Sequence, residues 1–186
     1  MTTTLTAPSR RRRAGRGSAA DPWREFGMLV VFVGIAFAVA ALGTITTITS
    51  VDGWYAHSPH VPWTPPNWTF GVVWTVLYAM IGVSGWLVWR QRRSRIVGPA
   101  LAAYVLQLVL NSLWAPVFFG GFAFLGLSAL WIGLAIILLL DLAVTATIAG
   151  FWPLSRPAAL LLVPYLGWIL FASTLNWGDA ALYTIL

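Results

Sequence analysis

Five long apolar runs follow one another along the chain, and shorter polar segments separate them. Each run is close to the roughly 20 residues that a helix needs to cross the hydrocarbon core of a bilayer. Backbone N–H and C=O groups find no water there, so runs of this length must form helices. The pattern predicts an all-α integral membrane protein, a bundle of five transmembrane helices at about residues 26–49, 67–89, 99–119, 124–151 and 158–177.

The first 25 residues differ in character from the rest of the chain. They are polar and arginine-rich, which predicts a disordered cytoplasmic tail at 1–25 and a transmembrane domain at 26–186. A cleaved signal peptide is the alternative, with "AVA" at residues 38–40 as its cleavage site. The apolar run continues well beyond Ala40, and this favours an uncleaved first helix.

Composition and charge agree with a membrane protein. Hydrophobic residues make up 59% of the chain and charged residues only 9%, against about 25% in soluble domains. All 11 basic residues are arginine, and they lie in the tail, in "RQRRSR" at residues 90–95 and at Arg156. Five spans place these segments on one side, and arginine marks the cytoplasmic side. We therefore expect a bacterial cell membrane, a cytoplasmic N-terminus, an outside C-terminus and no nucleic-acid binding.

The segment between the first two apolar runs, residues 50–66, is rich in proline. Pro65 and Pro66 cannot lie inside a helix, but they suit the residues just before one and stiffen that junction. We predict that this loop forms a lid and that the two prolines set its junction with the second helix. His57 and His60 form an H-x-x-H pair, but zinc usually takes three or four protein ligands, so no metal site is expected.

Three of the predicted helices carry a stripe that mixes aromatic side chains with amides. One interpretation is packing, with the amides as interhelical hydrogen-bonding groups. The other is an aromatic-walled cavity with a few polar groups that orient a ligand. Trp74, Trp114 and Trp168 lie inside their spans rather than at the ends, and this favours the cavity. The stripes are Trp74, Tyr78, Gly85 and Trp89; Gln107, Asn111, Trp114 and Phe118; and Tyr165, Trp168, Ala172 and Asn176.

Three motifs, in order along the chain, carry a resemblance to a known family. They are "WYAHSPHVPWTPPNWTFGVVWTVLY", "QLVLNSLWAPVFFG" and "PYLGWILFASTLN". Together they resemble the tryptophan-rich sensory protein family, which includes the mitochondrial translocator protein, or peripheral-type benzodiazepine receptor. The resemblance covers about residues 27–176.

The resemblance implies a five-helix bundle, a homodimer, and a ligand pocket under the first loop. It also implies an association with porphyrins, with sterols in animals, with benzodiazepine-type drugs and with the regulation of pigment or stress responses. Carried over by position, the ligand-binding residues are Trp54, Tyr55, Trp74, Asn111, Trp114, Trp168 and Ala172.

The sequence departs from the family pattern in two places. The sterol pattern at the end of the last helix needs Lys or Arg after a tyrosine, but Tyr183 is followed by "TIL". The acid that many relatives carry early in the fourth helix is missing, and Asp141 lies near the middle of that helix instead. An acid at that depth indicates function; the alternatives are a protonated carboxyl that bonds Thr145 or a partner across a dimer interface.

These features predict a membrane receptor or carrier with a sensory or regulatory role. Its expected ligand is a flat hydrophobic molecule, with a porphyrin (tetrapyrrole) as the first candidate and no required cofactor. The outside half carries no Arg or Lys for porphyrin propionates, so a neutral isoprenoid (carotenoid, sterol or hopanoid) stays open. No catalytic arrangement is present; slow light-dependent porphyrin breakdown, with Trp74 and Trp168 as photochemical candidates, is the enzyme alternative.

Overall fold

The computed structural model describes residues 22–51 and 53–185. These residues form helices without a strand; short turns join most of them, and a longer loop at 53–66, with a 3-10 turn at Tyr55–His57, joins the first two long helices. Five of the helices are long and apolar enough to cross a membrane, which confirms the predicted fold class. The helices are α1 (Pro22–Val51), α2 (Asn67–Trp89), α3 (Val97–Ala115), a π-helical turn that continues α3 (Pro116–Gly120), the short α4 (Phe122–Leu125), α5 (Leu127–Phe151) and α6 (Arg156–Ile185).

The two outermost helices are longer than predicted. Helix α1 begins at Pro22, a residue type that suits a first helical turn, so residues 22–25 belong to the helix and not to the tail. Residues 1–21 lie outside the described part of the chain. Helix α6 continues beyond residue 177 to Ile185 because Gly178 and Asp179 are buried against the first loop. That contact stabilises a stretch whose glycine and aspartate look like a helix end in the sequence.

The chain reverses between α3 and α5 later than the predicted spans at 99–119 and 124–151 imply. Gly121 still belongs to the end of the π turn, where its N–H donates to the main-chain oxygens of Pro116 and Val117. The reversal comes at Gly126, whose φ of 53° lies in the left-handed region that favours glycine. Helix α5 therefore starts at Leu127 rather than at about residue 124.

Two glycines of α2 allow three helices to pack closely at one end of the bundle. A Cβ on Gly82 would lie 2.6 Å from the Cα of Val33 in α1, and a Cβ on Gly85 would lie 2.6 Å from the ring of Tyr104 in α3. This end contains Arg24, the 90–95 turn and Arg156, and we call it the arginine-rich end. The opposite end carries residues 53–66, and we call it the loop end.

Candidate ligand cavity

A cavity of ≈ 780 Å³ lies between α1, α2 and α3 on the loop-end side of the Gly82 contact. Its size falls within the range of about 300–1,000 Å³ that is typical of small-molecule sites. The walls come from residues 37–48 of α1, one face of α2 from Asn67 to Tyr78, and the end of α3. Its aromatic and amide lining includes Tyr55, Phe70, Trp74, Tyr78, Asn111, Trp114 and Phe119.

The structure brings four of the seven predicted ligand-binding residues to this cavity. Tyr55, Trp74, Asn111 and Trp114 line it. The other three, Trp54, Trp168 and Ala172, do not belong to the lining. The resemblance placed all seven together by position. Helical spacing shows which residues share a face of one helix, but not which part of that face meets open space.

Trp168 and Ala172 lie behind the cavity wall, on α6. The ring of Trp168 packs edge-on against Phe70 at 5.7 Å, and Phe70 itself lines the cavity. The Trp168 Nε1 is buried without a hydrogen-bond partner among the described residues. Ala172 is buried in the main apolar core. Neither Trp168 nor Ala172 borders the open space of the cavity.

Trp54 secures the first loop to the bundle. Its ring stacks on Phe122 with centroids 3.8 Å apart, and its Nε1 donates to the main-chain oxygen of Phe119 at 3.0 Å. The Ser58 hydroxyl bonds the Tyr183 hydroxyl at the end of α6. Trp54 therefore holds the loop in place, while its neighbour Tyr55 reaches the cavity.

Tyr55 closes the loop end of the cavity and is itself buried. Its ring lies 4.2 Å from the ring of His60, and the His60 Nε2 is 2.8 Å from the Tyr55 main-chain oxygen. The His60 Nδ1 faces the buried carboxylate of Asp179 on α6 at 3.6 Å. Burial, with a smaller contribution from the nearby Asp179, raises the pKa of the Tyr55 phenol. The loop thus contacts α6 through residues that lie far apart in the sequence.

The other loop residues singled out in the sequence, His57, Pro65 and Pro66, do not line the cavity. His57 lies with its Nδ1 2.9 Å from the main-chain oxygen of Gly53, on the exposed side of the loop. Pro65 and Pro66 directly precede α2, and Pro66 is extended with a ψ of 144° before the first helical residue, Asn67. The two prolines therefore lie directly before the second helix.

A chain of buried hydrogen bonds runs from the cavity wall into the bundle. Tyr78 donates to the Asn111 Oδ1 at 2.6 Å, and the Asn111 Nδ2 donates to the Tyr165 hydroxyl at 2.8 Å. Tyr165 in turn donates to the Gln107 Oε1 at 3.1 Å. The chain joins α2, α3 and α6 and orients the Asn111 amide at the wall. Tyr78 is a functional candidate that lay within a predicted stripe but was not selected from the sequence.

The indole rings of the wall are held in fixed orientations. Trp74 stacks on Tyr78 with centroids 5.2 Å apart and an interplanar angle of 28°. Trp114 donates from its Nε1 to the Asn176 Oδ1 at 3.1 Å, and the Asn176 Nδ2 donates to the main-chain oxygen of Leu130 at 2.9 Å. Rings that are already ordered lose little side-chain entropy when a ligand stacks on them.

The lining carries no formal charge. None of the described residues that line the cavity is Arg, His, Asp or Glu. Three threonines add hydroxyls, but each donates to a carbonyl one turn back in its own helix, as Thr44 does to Ala40 and Thr75 to Gly71. The cavity therefore offers aromatic faces and a few weakly polar atoms rather than an ion-pairing partner.

The cavity opens sideways between α1 and α2. Ile45 and Ile48 of α1 line it and are nevertheless 69% and 61% exposed. Across the opening, Gly71 and Thr75 of α2 also line the cavity and are exposed. In a membrane these residues face lipid. The side of the cavity is therefore open toward the bilayer, while its loop end is covered by Tyr55.

Asp141 lies away from the cavity, between α5 and α6. Its Oδ2 accepts from the Ser173 hydroxyl at 2.9 Å. Thr145, one of the alternative partners considered for this carboxyl, donates to the main-chain oxygen of Asp141 at 2.8 Å and not to its side chain. A threonine one turn on in a helix reaches the carbonyl of residue i−4 more readily than its side chain.

The fold and the cavity define a class: a helical membrane protein with an aromatic, uncharged cavity between its spans. The comparisons with known proteins give the family. A profile of the TspO/MBR family matches residues 32–181, and the chain belongs to that family.

Three relatives illustrate the breadth of the family. The tryptophan-rich protein TspO of Archaeoglobus fulgidus is 41% identical over 152 residues, which cover 80% of this chain and 92% of the relative. The protein CrtK of Rhodobacter capsulatus is 33% identical over 150 residues, covering 80% and 90%. The human translocator protein is 39% identical over 129 residues, covering 67% and 71%. The family and the apolar helices together show an integral membrane protein.

Proposed function

We propose that this protein is a membrane receptor or carrier that binds a flat hydrophobic molecule in the cavity between α1, α2 and α3. A porphyrin is the first candidate ligand. The observation that carries the proposal is an aromatic-walled space of ≈ 780 Å³ that is covered at the loop end and open toward the bilayer. Relatives named sensory protein and translocator protein support a sensory or carrier role.

Stacking on ordered rings supplies most of the binding in this proposal. The Trp74–Tyr78 pair presents one wall and Trp114 another, and stacked or edge-on aromatic pairs contribute about 0.5–1.5 kcal/mol each beyond area burial. Asn111 has one amide hydrogen that Tyr165 does not use, and this hydrogen can donate to an acceptor on the ligand. Its orientation is set by the bonds to Tyr78 and Tyr165.

The ligand reaches the cavity from the bilayer. A hydrophobic molecule concentrates in the hydrocarbon phase, and the exposed lining residues Ile45 and Ile48 border an opening on that phase. Tyr55 covers the route through the loop end, and the His60–Asp179 pair holds that loop. Lateral access therefore needs no movement of the lid.

A neutral isoprenoid is the second candidate ligand, because the lining is uncharged. Porphyrin propionates placed deep in the cavity would meet no cation among the described lining residues, and an unpaired charge buried in an apolar site is costly. A bound porphyrin must therefore direct its propionates toward the opening or the lid. A carotenoid, sterol or hopanoid has no such requirement.

Light-dependent porphyrin breakdown is the enzyme alternative. Trp74 lines the cavity and can contact a ligand, whereas Trp168 can act only across Phe70. Product formation beyond one equivalent of porphyrin per protein under illumination would distinguish turnover from a receptor.

The decisive experiment is a titration of the purified, detergent-solubilised protein with protoporphyrin IX, followed by tryptophan fluorescence. We compare the wild type with Trp74→Phe and, as a matched control behind the wall, Trp168→Phe. The proposal expects saturable quenching at micromolar porphyrin and a clearly larger loss of affinity for Trp74→Phe. Quenching that does not saturate and is alike in all three proteins would mean partition into the micelle, and neutral isoprenoids would then be tested.

Topology and oligomeric state belong to the same proposal. We place the arginine-rich end in the cytoplasm of a bacterial cell, the C-terminus outside, and the protein as a homodimer. The chain has no cysteine, so Ser94→Cys at the arginine-rich end and Ala56→Cys on the exposed side of the loop give single labelling sites. Labelling of Ser94→Cys in intact cells by a membrane-impermeant reagent would contradict the orientation. Native mass spectrometry of the purified protein reports the dimer.

A further inference from the structure

Two guanidinium groups share one indole ring at the arginine-rich end. The Cζ of Arg92 lies 4.3 Å from the centre of the Trp89 ring, and the Cζ of Arg24 lies 5.7 Å from the same ring. Both distances are within the roughly 6 Å over which a cation is attracted by an aromatic face. Both guanidinium groups therefore lie beside the same indole, and its aromatic face attracts each of them.

Neighbouring contacts fix this arrangement to two helices. The Trp86 Nε1 donates to the main-chain oxygen of Glu25 at 3.0 Å, and the Glu25 carboxylate pairs with Arg90 at 2.8 Å. The turn after α2 is hydrogen-bonded, with the N–H of Arg92 donating to the Trp89 carbonyl at 3.0 Å. Arg24 is thus presented by the start of α1 and Arg92 by an ordered turn.

The positive charge at this site is not balanced within the described chain. Glu25 is the one carboxylate there that forms an ion pair, and its partner is Arg90. Arg24 and Arg92, with Arg93 and Arg95 beside them, are exposed and have no ion-pair partner among the described residues. Arginines gathered at one indole, without a carboxylate partner among the described residues, indicate an anionic ligand.

We propose that Arg24 and Arg92, held on Trp89, bind the phosphate of an anionic phospholipid headgroup. Tryptophans at the ends of spans mark the level of the lipid headgroups, so these guanidiniums stand where lipid phosphates lie. Guanidinium groups bind phosphate oxygens through paired hydrogen bonds. The partner is a lipid of the leaflet at the arginine-rich end, and the site is separate from the cavity at the other side of the Gly82 contact.

The test is lipid binding by native mass spectrometry. The delipidated full-length protein in a neutral detergent is titrated with phosphatidylglycerol or with phosphatidylcholine. We compare the wild type, Arg24→Gln/Arg92→Gln, and the control Arg156→Gln, which removes a single guanidinium at 6.0 Å from its own Trp152 ring. Each arginine near the membrane surface contributes about fivefold to the affinity for an anionic lipid. The double variant should therefore bind phosphatidylglycerol about 25-fold more weakly than the wild type. Arg156→Gln should stay within about fivefold of the wild type, and phosphatidylcholine binding should not change.

Three results would overturn the proposal. The first is equal phosphatidylglycerol binding by the double variant and by Arg156→Gln. The second is full displacement of phosphatidylglycerol by an equal concentration of inorganic phosphate, which would indicate a site for soluble anions. The third is wild-type binding by Arg24→Lys/Arg92→Lys, which would show that charge alone acts and not the geometry on the shared indole. Circular dichroism of each variant verifies that the bundle is folded.

Discussion

Replacing Asn111 by alanine tests the hydrogen-bond chain that connects the cavity wall to the bundle. The change removes the acceptor of the Tyr78 hydroxyl and the donor to the Tyr165 hydroxyl, at 2.6 and 2.8 Å. Both tyrosines are buried. Tyr165 still donates to Gln107, so the Tyr78 O–H is the donor that loses its acceptor.

The magnitude follows from what such bonds contribute in membranes. Interhelical side-chain hydrogen bonds average about 0.6 kcal/mol and reach about 1.7 kcal/mol. Two bonds therefore predict that Asn111→Ala lowers the free energy of unfolding by about 1–3 kcal/mol. The neighbour Ser112 bonds only within its own helix, to the Val109 carbonyl at 2.7 Å. Ser112→Ala should therefore cost less than about 0.5 kcal/mol.

The assay is equilibrium unfolding in mixed micelles with increasing dodecyl sulfate, followed by circular dichroism. A double-mutant cycle with Tyr78→Phe isolates the bond between Tyr78 and Asn111, and we expect a coupling energy of about 0.6–1.7 kcal/mol. A coupling near zero, or equal effects of Asn111→Ala and Ser112→Ala, would refute the reasoning that these hydrogen bonds stabilise the contacts between helices.

The same variants separate ligand binding from packing. If the aromatic and amide stripes only pack, Asn111→Ala changes the unfolding free energy and leaves the porphyrin dissociation constant unaltered. If Asn111 faces a bound ligand, affinity falls as well, and Ser112→Ala leaves it unchanged. Measuring both quantities on one set of proteins decides between the two interpretations of the stripes.

Three further predictions follow from packing, charge and access. Gly82→Ala should lower the free energy of unfolding by about 1–3 kcal/mol in the same assay, because its Cβ meets the α1 backbone. The control Gly34→Ala, with open space around it, should not lower it. Equal effects of the two variants would contradict the close contact. Burial raises the pKa of the Tyr55 phenol, so the neutral phenol stabilises the fold fully below pH about 10, and this stabilisation is lost as the pH rises further. Tyr55→Phe should therefore flatten the alkaline part of the pH–stability profile. Ile45→Trp should slow porphyrin association and dissociation several-fold in stopped-flow measurements with little change in affinity, and Leu142→Trp on the far lipid face should change neither rate.

Some of the candidate site could be predicted from residue type and spacing. Trp74, Asn111 and Trp114 lie inside their predicted spans rather than at the ends, and the structure places all three on the cavity wall. Trp168 has the same kind of position, yet it packs behind Phe70. Helical periodicity specifies the face of one helix but not where its neighbour moves away from it.

The contact between His60 and Asp179 shows a second limit. The two residues are far apart in the sequence, and neither belongs to a motif that pairs them. Their approach depends on Gly178, which lets Val61 of the loop pack directly on α6. A glycine near the end of the last apolar run indicates a helix end by its local preference, and only the packed loop makes it a point of close contact.

The sequence by itself determined the five spans and the all-α class, because a bilayer acts on each segment separately through its length and polarity. The order of its motifs also determined the family. The tertiary structure decided where the space lies. Gly82 and Gly85 let α2 approach α1 and α3 at the arginine-rich end, and on the other side of that contact the cavity lies between α1 and α2. Such a space belongs to several helices at once, so no single stretch of the chain encodes it.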